Sequence, residues 1–215
     1  MPQKPSGSEG PVFLSPKEKI AEWQKIEFPT SKDELEIFIM NLFSRNVSRF
    51  AHVPERDGFE ILSYDKLPED DFEFLAETNK STKYVELVEI RPEGKDGYEK
   101  YKEKITVGEF SDFVLSVLEK KEQKLYQSDK PIILLSYATD WSMQIPDSCA
   151  IYIRNALLKR KKLFERIYYM HPIDKISALC IRLSPLAYPH YYRNNISKMY
   201  DNEIIRMHPD GYQFI

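Results

Sequence analysis

The heptapeptide Tyr84-Val85-Glu86-Leu87-Val88-Glu89-Ile90 constrains the fold more than any other stretch of the chain. Apolar residues fill both alternating sets, as in a strand covered on two sides, yet the segment carries two carboxylates. Alternation puts Tyr84, Glu86, Val88 and Ile90 on one face and Val85, Leu87 and Glu89 on the other. A carboxylate in such a strand costs several kcal/mol unless a cation, a proton or hydrogen bonds compensate it. Lysine and metal ions are the natural compensators, so chemistry is sought here first.

The flanking segments define an α/β order. Ser15-Pro16-Lys17-Glu18 reads as the capped start of a short helix ending at Pro29. Ser31-Lys32-Asp33-Glu34 is a second capping box, and Leu35, Phe38, Ile39, Leu42, Phe43 and Val47 follow at helical spacing, predicting a helix over about 32–50. Phe59 to Ser63 is expected as a strand, and Asp71 to Leu75, a polar turn over 78–82 and the 84–90 strand as a hairpin. Residues 92–104 form a charged connection, and Gly108 to Gln127 a long amphipathic helix. Pro131 to Tyr137 fits a buried strand; a helix at about 147–163 and strands at 166–170 and 178–183 complete the core. The expectation is an α/β fold: one domain, with a mixed central β-sheet flanked by helices, over residues 12–185. Residues 1–11, polar and rich in Pro, Gly and Ser, are expected to be a disordered tail. Residues 186–215 are expected as a C-terminal extension packed on the domain, with a helix near 190–201.

Composition narrows the partners. With 215 residues and a net charge of −3, the chain is long enough for a sizeable core and is not held to nucleic acid by bulk charge, although a local basic groove remains compatible. No signal-peptide pattern and no apolar run near the roughly 20 residues of a membrane span occur, and Cys149 and Cys180 form no CxxC pair. A cytoplasmic protein with no membrane partner is expected; the oligomeric state is open. There is no Gly-rich phosphate loop and no GxSxG elbow, and His52, His171, His190 and His208 lack metal-ligand spacing.

Two helices carry a second anomaly. At about 100° per residue, Phe110, Phe113, Val114, Val117, Leu118 and Leu125 form one stripe, with Lys121 near its middle and Lys124 inside it. On the helix at 32–50, Glu36 projects between Phe43 and Val47, and Asn46 lies close to the centre of the apolar side. Ionisable groups of both signs thus point towards a sheet bearing Asp71, Glu86 and Glu89. Each has an ordinary explanation alone: lysine stems cover apolar surface near helix C-termini, and strand carboxylates discourage sheet association. Jointly they outline a candidate site. Lys159-Arg160-Lys161-Lys162, with Arg154 and Arg166, is the strongest basic cluster and a candidate nucleic-acid contact; its ordinary reading is the cationic finish of a surface helix.

Pro68-Glu69-Asp70-Asp71-Phe72, followed fifteen positions after Asp71 by Glu86-Leu87-Val88-Glu89, resembles the PD-(D/E)XK nuclease-like superfamily, closest to its PDF…EVTE branches. The resemblance spans about residues 32–138 and implies a restriction-endonuclease-like core: helix, three strands, helix, strand. It implies Asp71 and Glu86 as ligands of Mg2+ or Mn2+, and Glu36 as the first-helix acid. Val88 stands where the family places its lysine, so Lys121, with Lys124 second, is expected to supply the amine from the following helix. Such an ion would acidify bound water and stabilise charge on the phosphate while the lysine neutralises developing charge. Opposed residues of an antiparallel hairpin share a face: Glu73 paired with Glu86 sets Asp71 against Val88, and a slip of one residue substitutes Glu89. The implied function is a metal-dependent nuclease cleaving DNA or RNA. The alternative is a catalytically inactive nuclease fold used as an interaction or nucleic-acid-binding module.

Overall fold

In the computed structural model, the described residues are 9–15, 20–48, 59–68, 72–91, 104–124, 126–160, 163–185 and 196–205. The chain enters through a hairpin rather than a helix. β1 (Val12–Ser15) pairs antiparallel with β2 (Ile20–Trp23), and the Gln24 and Ile26 amides extend the ladder to the Pro11 and Glu9 carbonyls. The helix expected from Ser15 is therefore corrected: β-pairing with the preceding segment outweighs a local capping pattern. Glu9 to Pro11, expected within the disordered tail, belong to this ladder, and residues 1–8 lie outside the described residues. Gly10 has φ +147°, and a Cβ there would stand 2.0 Å from the Gln24 carbonyl oxygen, an approach only glycine permits.

Helix α1 (Lys32–Asn46) starts as predicted: the Ser31 hydroxyl caps the Glu34 amide, with Asp33 and Glu34 in the first turn. Ile39, Met40, Leu42 and Phe43 are fully buried, each worth about 1.5–3 kcal/mol of transfer free energy. Asn46, near the centre of that face, donates to the carbonyls of Leu42 and Ile176.

The main sheet follows. β3 (Ile61–Lys66), β4 (Phe74–Thr78) and β5 (Thr82–Glu89) form an antiparallel meander. A short β6 (Lys104–Thr106) leads into α2 (Val107–Glu122), whose Thr106–Glu109 capping box satisfies its first-turn amide. β7 (Ile132–Tyr137) returns parallel to β5, and a 3-10 turn (Trp141–Met143) precedes α3 (Asp147–Leu157). β8 (Arg166–Pro172) is parallel to β7, and β9 (Ala178–Ser184) antiparallel to β8. The result is one domain with a six-stranded mixed sheet in the order β3-β4-β5-β7-β8-β9. Of the expected 190–201 helix, α4 (Ile196–Met199) is helical and the part before it lies outside the described residues; β10 (Glu203–Ile205) follows and pairs with β6. This segment packs on the domain: the Gly108 amide donates to Tyr200, whose ring covers the glycine so closely that a Cβ would lie 2.3 Å from it.

The two faces bury different cores. α1 lies over Val85, Leu87, Ile133, Leu135 and Tyr137. α2 and α3 lie over Tyr84, Val88, Ile132, Leu134 and Tyr169. That division decides which acids can meet.

Candidate functional site

The spatial expectation on which the site rested has two halves. Lys121, in the last turn of α2, reaches across the sheet: its Nζ lies 2.5 Å from Glu86 Oε1. The same oxygen accepts from the Tyr126 hydroxyl at 3.0 Å and from Lys124 Nζ at 3.4 Å. Glu86 is only 1% exposed. Phe72 stacks on Tyr84 at 4.3 Å and on Tyr126 at 5.4 Å, walling the carboxylate with aromatic rings. The other half concerned Asp71, which lies outside the described residues.

Register supplies a second acid instead. Phe74 faces Val85, so the next step of the antiparallel ladder sets Glu73 against Glu86, as the hairpin reading anticipated. Glu73 sits in the bend just before β4, and its Oε2 accepts the Leu87 amide at 2.9 Å. Burial pushes Glu73 up to about 7, reinforced by its hydrogen bond to Glu86 and the Glu86 negative charge. Burial alone would raise Glu86 too, but the hydrogen bond from Glu73, with Lys121 and Tyr126, holds it below the usual carboxylate range. The pair is therefore one carboxylate and one proton-holding acid, with an amine alongside. Glu73 and Tyr126 were not identified as site residues from sequence. The available signal for Glu73 was its register position.

Glu36 and Glu89 do not join this cluster. Glu36 lies under α1 on the opposite face, 3.1 Å from Lys66 Nζ and 3.6 Å from Lys32 Nζ. Glu89, three positions from Glu86, alternates onto the α1 side and accepts from the Thr139 hydroxyl at 2.7 Å. It faces Tyr137, whose phenol is raised first by burial and then by the charges of Glu89, Glu36 and Glu73. Glu89 thus parts from Glu86 because an odd spacing along a strand reverses the side, and Glu36 comes from α1, the helix that covers the Glu89 face.

The basic cluster also divides. Arg154 is buried and its Nε donates to the Arg182 carbonyl at 2.9 Å, joining α3 to β9. Arg160 lies 3.4 Å from Glu122 and 3.9 Å from Glu119. Lys159 is exposed, while Lys161 and Lys162 lie outside the described residues. Of the expected phosphate contacts, Arg154 and Arg166 are buried, and Arg154 in particular is spent on the fold.

A hard divalent ion needs several oxygen donors. Among the described residues no three His, Cys, Asp or Glu side chains converge as a metal cradle. Glu86 Oε1 is already occupied by Lys121 and Tyr126, and the Glu73 proton takes up the same carboxylate. The described residues therefore form no cradle by themselves, and Asp71 lies outside them.

No protein-family model matches the chain, and no curated protein or solved structure is significantly similar to it. Among the described residues no helix is long and apolar enough to cross a membrane.

Proposed function

We propose that this chain is a metal-dependent nuclease on a restriction-endonuclease-like core, with Asp71 and Glu86 holding Mg2+ or Mn2+ and Lys121 supplying the amine. One observation carries the reading: the β5 acid and the lysine of the next helix meet at 2.5 Å, within the order α1, β3, β4, β5, α2, β7, with only the short β6 of another sheet between β5 and α2. When bound, the ion would supply an acidified water and charge neutralisation at the phosphate. Lys121 holds a positive charge beside Glu86 that opposes negative charge developing on the phosphate, and Tyr126 fixes the orientation of the carboxylate.

The test is titration calorimetry with Mg2+ and Mn2+, run beside cleavage of single- and double-stranded DNA and RNA. Asp71→Ala is expected to abolish ion binding, and Lys121→Met to lower the cleavage rate by about 100-fold or more while ion binding persists. Absence of both ion binding and cleavage in the wild type rejects the enzymatic reading.

A second reading is favoured by the enclosure of Glu86, whose Oε1 is already held by amines at 2.5 and 3.4 Å. It makes the same core a non-catalytic interaction or nucleic-acid-binding module, in which the Glu86–Lys121 pair serves only the fold. Nucleic-acid binding without metal dependence or cleavage distinguishes it.

A further inference from the structure

A second buried acid lies far from Glu86 in the chain. Glu9 is 1% exposed, although eight residues of polar sequence precede it. Its Oε1 accepts from its neighbour's Gly10 amide at 3.0 Å and from Gln144 Nε2 at 3.3 Å. Its Oε2 lies 3.2 Å from Nδ1 of His171, which is 6% exposed on β8. Among the described residues neither of these two atoms has another hydrogen-bond partner. At that separation two bare lone pairs would repel, so a proton between them is required for the contact to hold.

The location gives the contact a consequence. β5, β7 and β8 are parallel, so Glu89, Tyr137 and His171 lie at their common carboxyl edge. That edge is where α/β sheets characteristically receive ligands. Glu9 belongs to the segment that the Ile26 and Gln24 amides bind to the hairpin, so the acid fastens the hairpin's root beside this edge.

We propose that Glu9 and His171 form a proton-held latch, which fastens the N-terminal segment at the carboxyl edge of the parallel strands and releases it when the pair loses its proton. Burial supports this by pushing Glu9 up to about 8, against the hydrogen bonds from Gly10 and Gln144, and by taking His171 down to about 4. Between these limits a proton shared by Oε2 and Nδ1 holds the contact, and ionising Glu9 leaves a buried carboxylate whose desolvation loosens the segment even where the imidazole turns its own N–H to Nδ1. Among the described residues the charged group facing Glu9 is Asp140, on the connection after β7, and its negative charge adds to the cost of ionising Glu9. His171 is shifted by burial alone. The sign is definite: Glu9 holds its proton more tightly folded than unfolded, so the latch contributes below its folded pKa and is lost as pH rises through about 8. This inference does not depend on the nuclease reading.

Tryptic cleavage after Lys25, normalised at each pH to an unstructured peptide, reads the latch in the full chain. Wild type is expected to be cut about tenfold faster at pH 9.5 than at pH 7, as local opening becomes cheaper. Glu9→Gln, whose amide donates to Nδ1 at every pH, is expected to stay within about twofold across that range. Equal pH responses in the two proteins, or no response in wild type, would overturn the latch. Should Glu9→Gln fail to fold, the wild-type Gly10 amide resonance decides, because that amide donates to Glu9 Oε1. A titration midpoint at or above 7 supports the latch, and a lower one sinks it.

Discussion

Glu86 and Glu89 lie three positions apart on one strand, and the fold answers their charges in different ways. On the α2 side, Glu86 is enclosed and met by Lys121, Lys124, Tyr126 and the acid of Glu73. On the α1 side, Glu89 is less enclosed and is met by a hydroxyl, with Tyr137 beside it. Glu36, on the same side, shares two lysines. A carboxylate deep in a sheet requires a cation of its own, whereas one near the strand end is served by a neutral donor and water. Enclosure separates these two acids, and the buried Glu36 takes cations as Glu86 does although it lies on the other face.

The sharpest way to break that contrast is to remove the amine. Lys121→Met leaves Glu86 without its nearest cation, and Lys124 at 3.4 Å is mostly solvent-exposed. A loss of about 3 kcal/mol is expected, at the low end of the cost of stranding a buried charge because Lys124 and Tyr126 remain. Urea unfolding measures it, and adding Glu86→Gln should return most of the loss. If Lys121→Met costs no more than about 0.5 kcal/mol, the pair is a surface-type bridge and the contrast between the faces fails.

Protons test the same enclosure. Glu73 is raised from 4.5 to about 7, so the folded state keeps a proton that the unfolded chain releases. Its contribution is present in full below pH 4.5 and disappears as pH rises through about 7. Glu73→Gln keeps a donor for Glu86 at every pH. In buffer containing a chelator, the variant should therefore gain on the wild type between these limits, on the order of 2 kcal/mol after allowing for the partial exposure of Glu73. Subtracting the two stability profiles removes Glu9 and His171, which titrate identically in both proteins. A difference that stays flat with pH would mean that Glu73 and Glu86 do not share a proton.

Much of this was legible before the fold. Helical spacing and the Ser31 box gave α1, and the inward Lys121 and Lys124 pointed to Glu86. The α/β order followed from apolar periodicity, which is strong where elements are long. What escaped was set by tertiary pairing. The β1–β2 hairpin was hidden behind a capping pattern around Ser15 that pairing overrode, and β6 and β10 are three residues each, too short to carry a period. Glu36 was expected to point inward towards the sheet, but helical spacing shows which residues face inward, not which side of the sheet the helix covers. Arg154 looked like a surface charge in a basic run, yet its aliphatic stem and Nε complete the packing of α3 on β9. Glu9 was invisible for the opposite reason: a lone acid in polar sequence becomes informative only when a histidine 162 positions away arrives beside it.

The smallest effect is also the most discriminating. Lys124 shares Glu86 with Lys121, but it lies farther away, stands over the Tyr126 ring at 5.5 Å, and is 55% exposed. An exposed amine at that distance is screened and gains little beyond a weak cation–π contact. Lys124→Ala should therefore change stability by no more than about 0.5 kcal/mol, measured by urea unfolding at low salt. In the Lys121→Met background, however, Lys124 becomes the nearest remaining cation, and its removal should cost about 1 kcal/mol more than it does alone. Strict additivity in this double-mutant cycle would mean that Lys124 never serves Glu86, leaving the carboxylate to depend on a single amine.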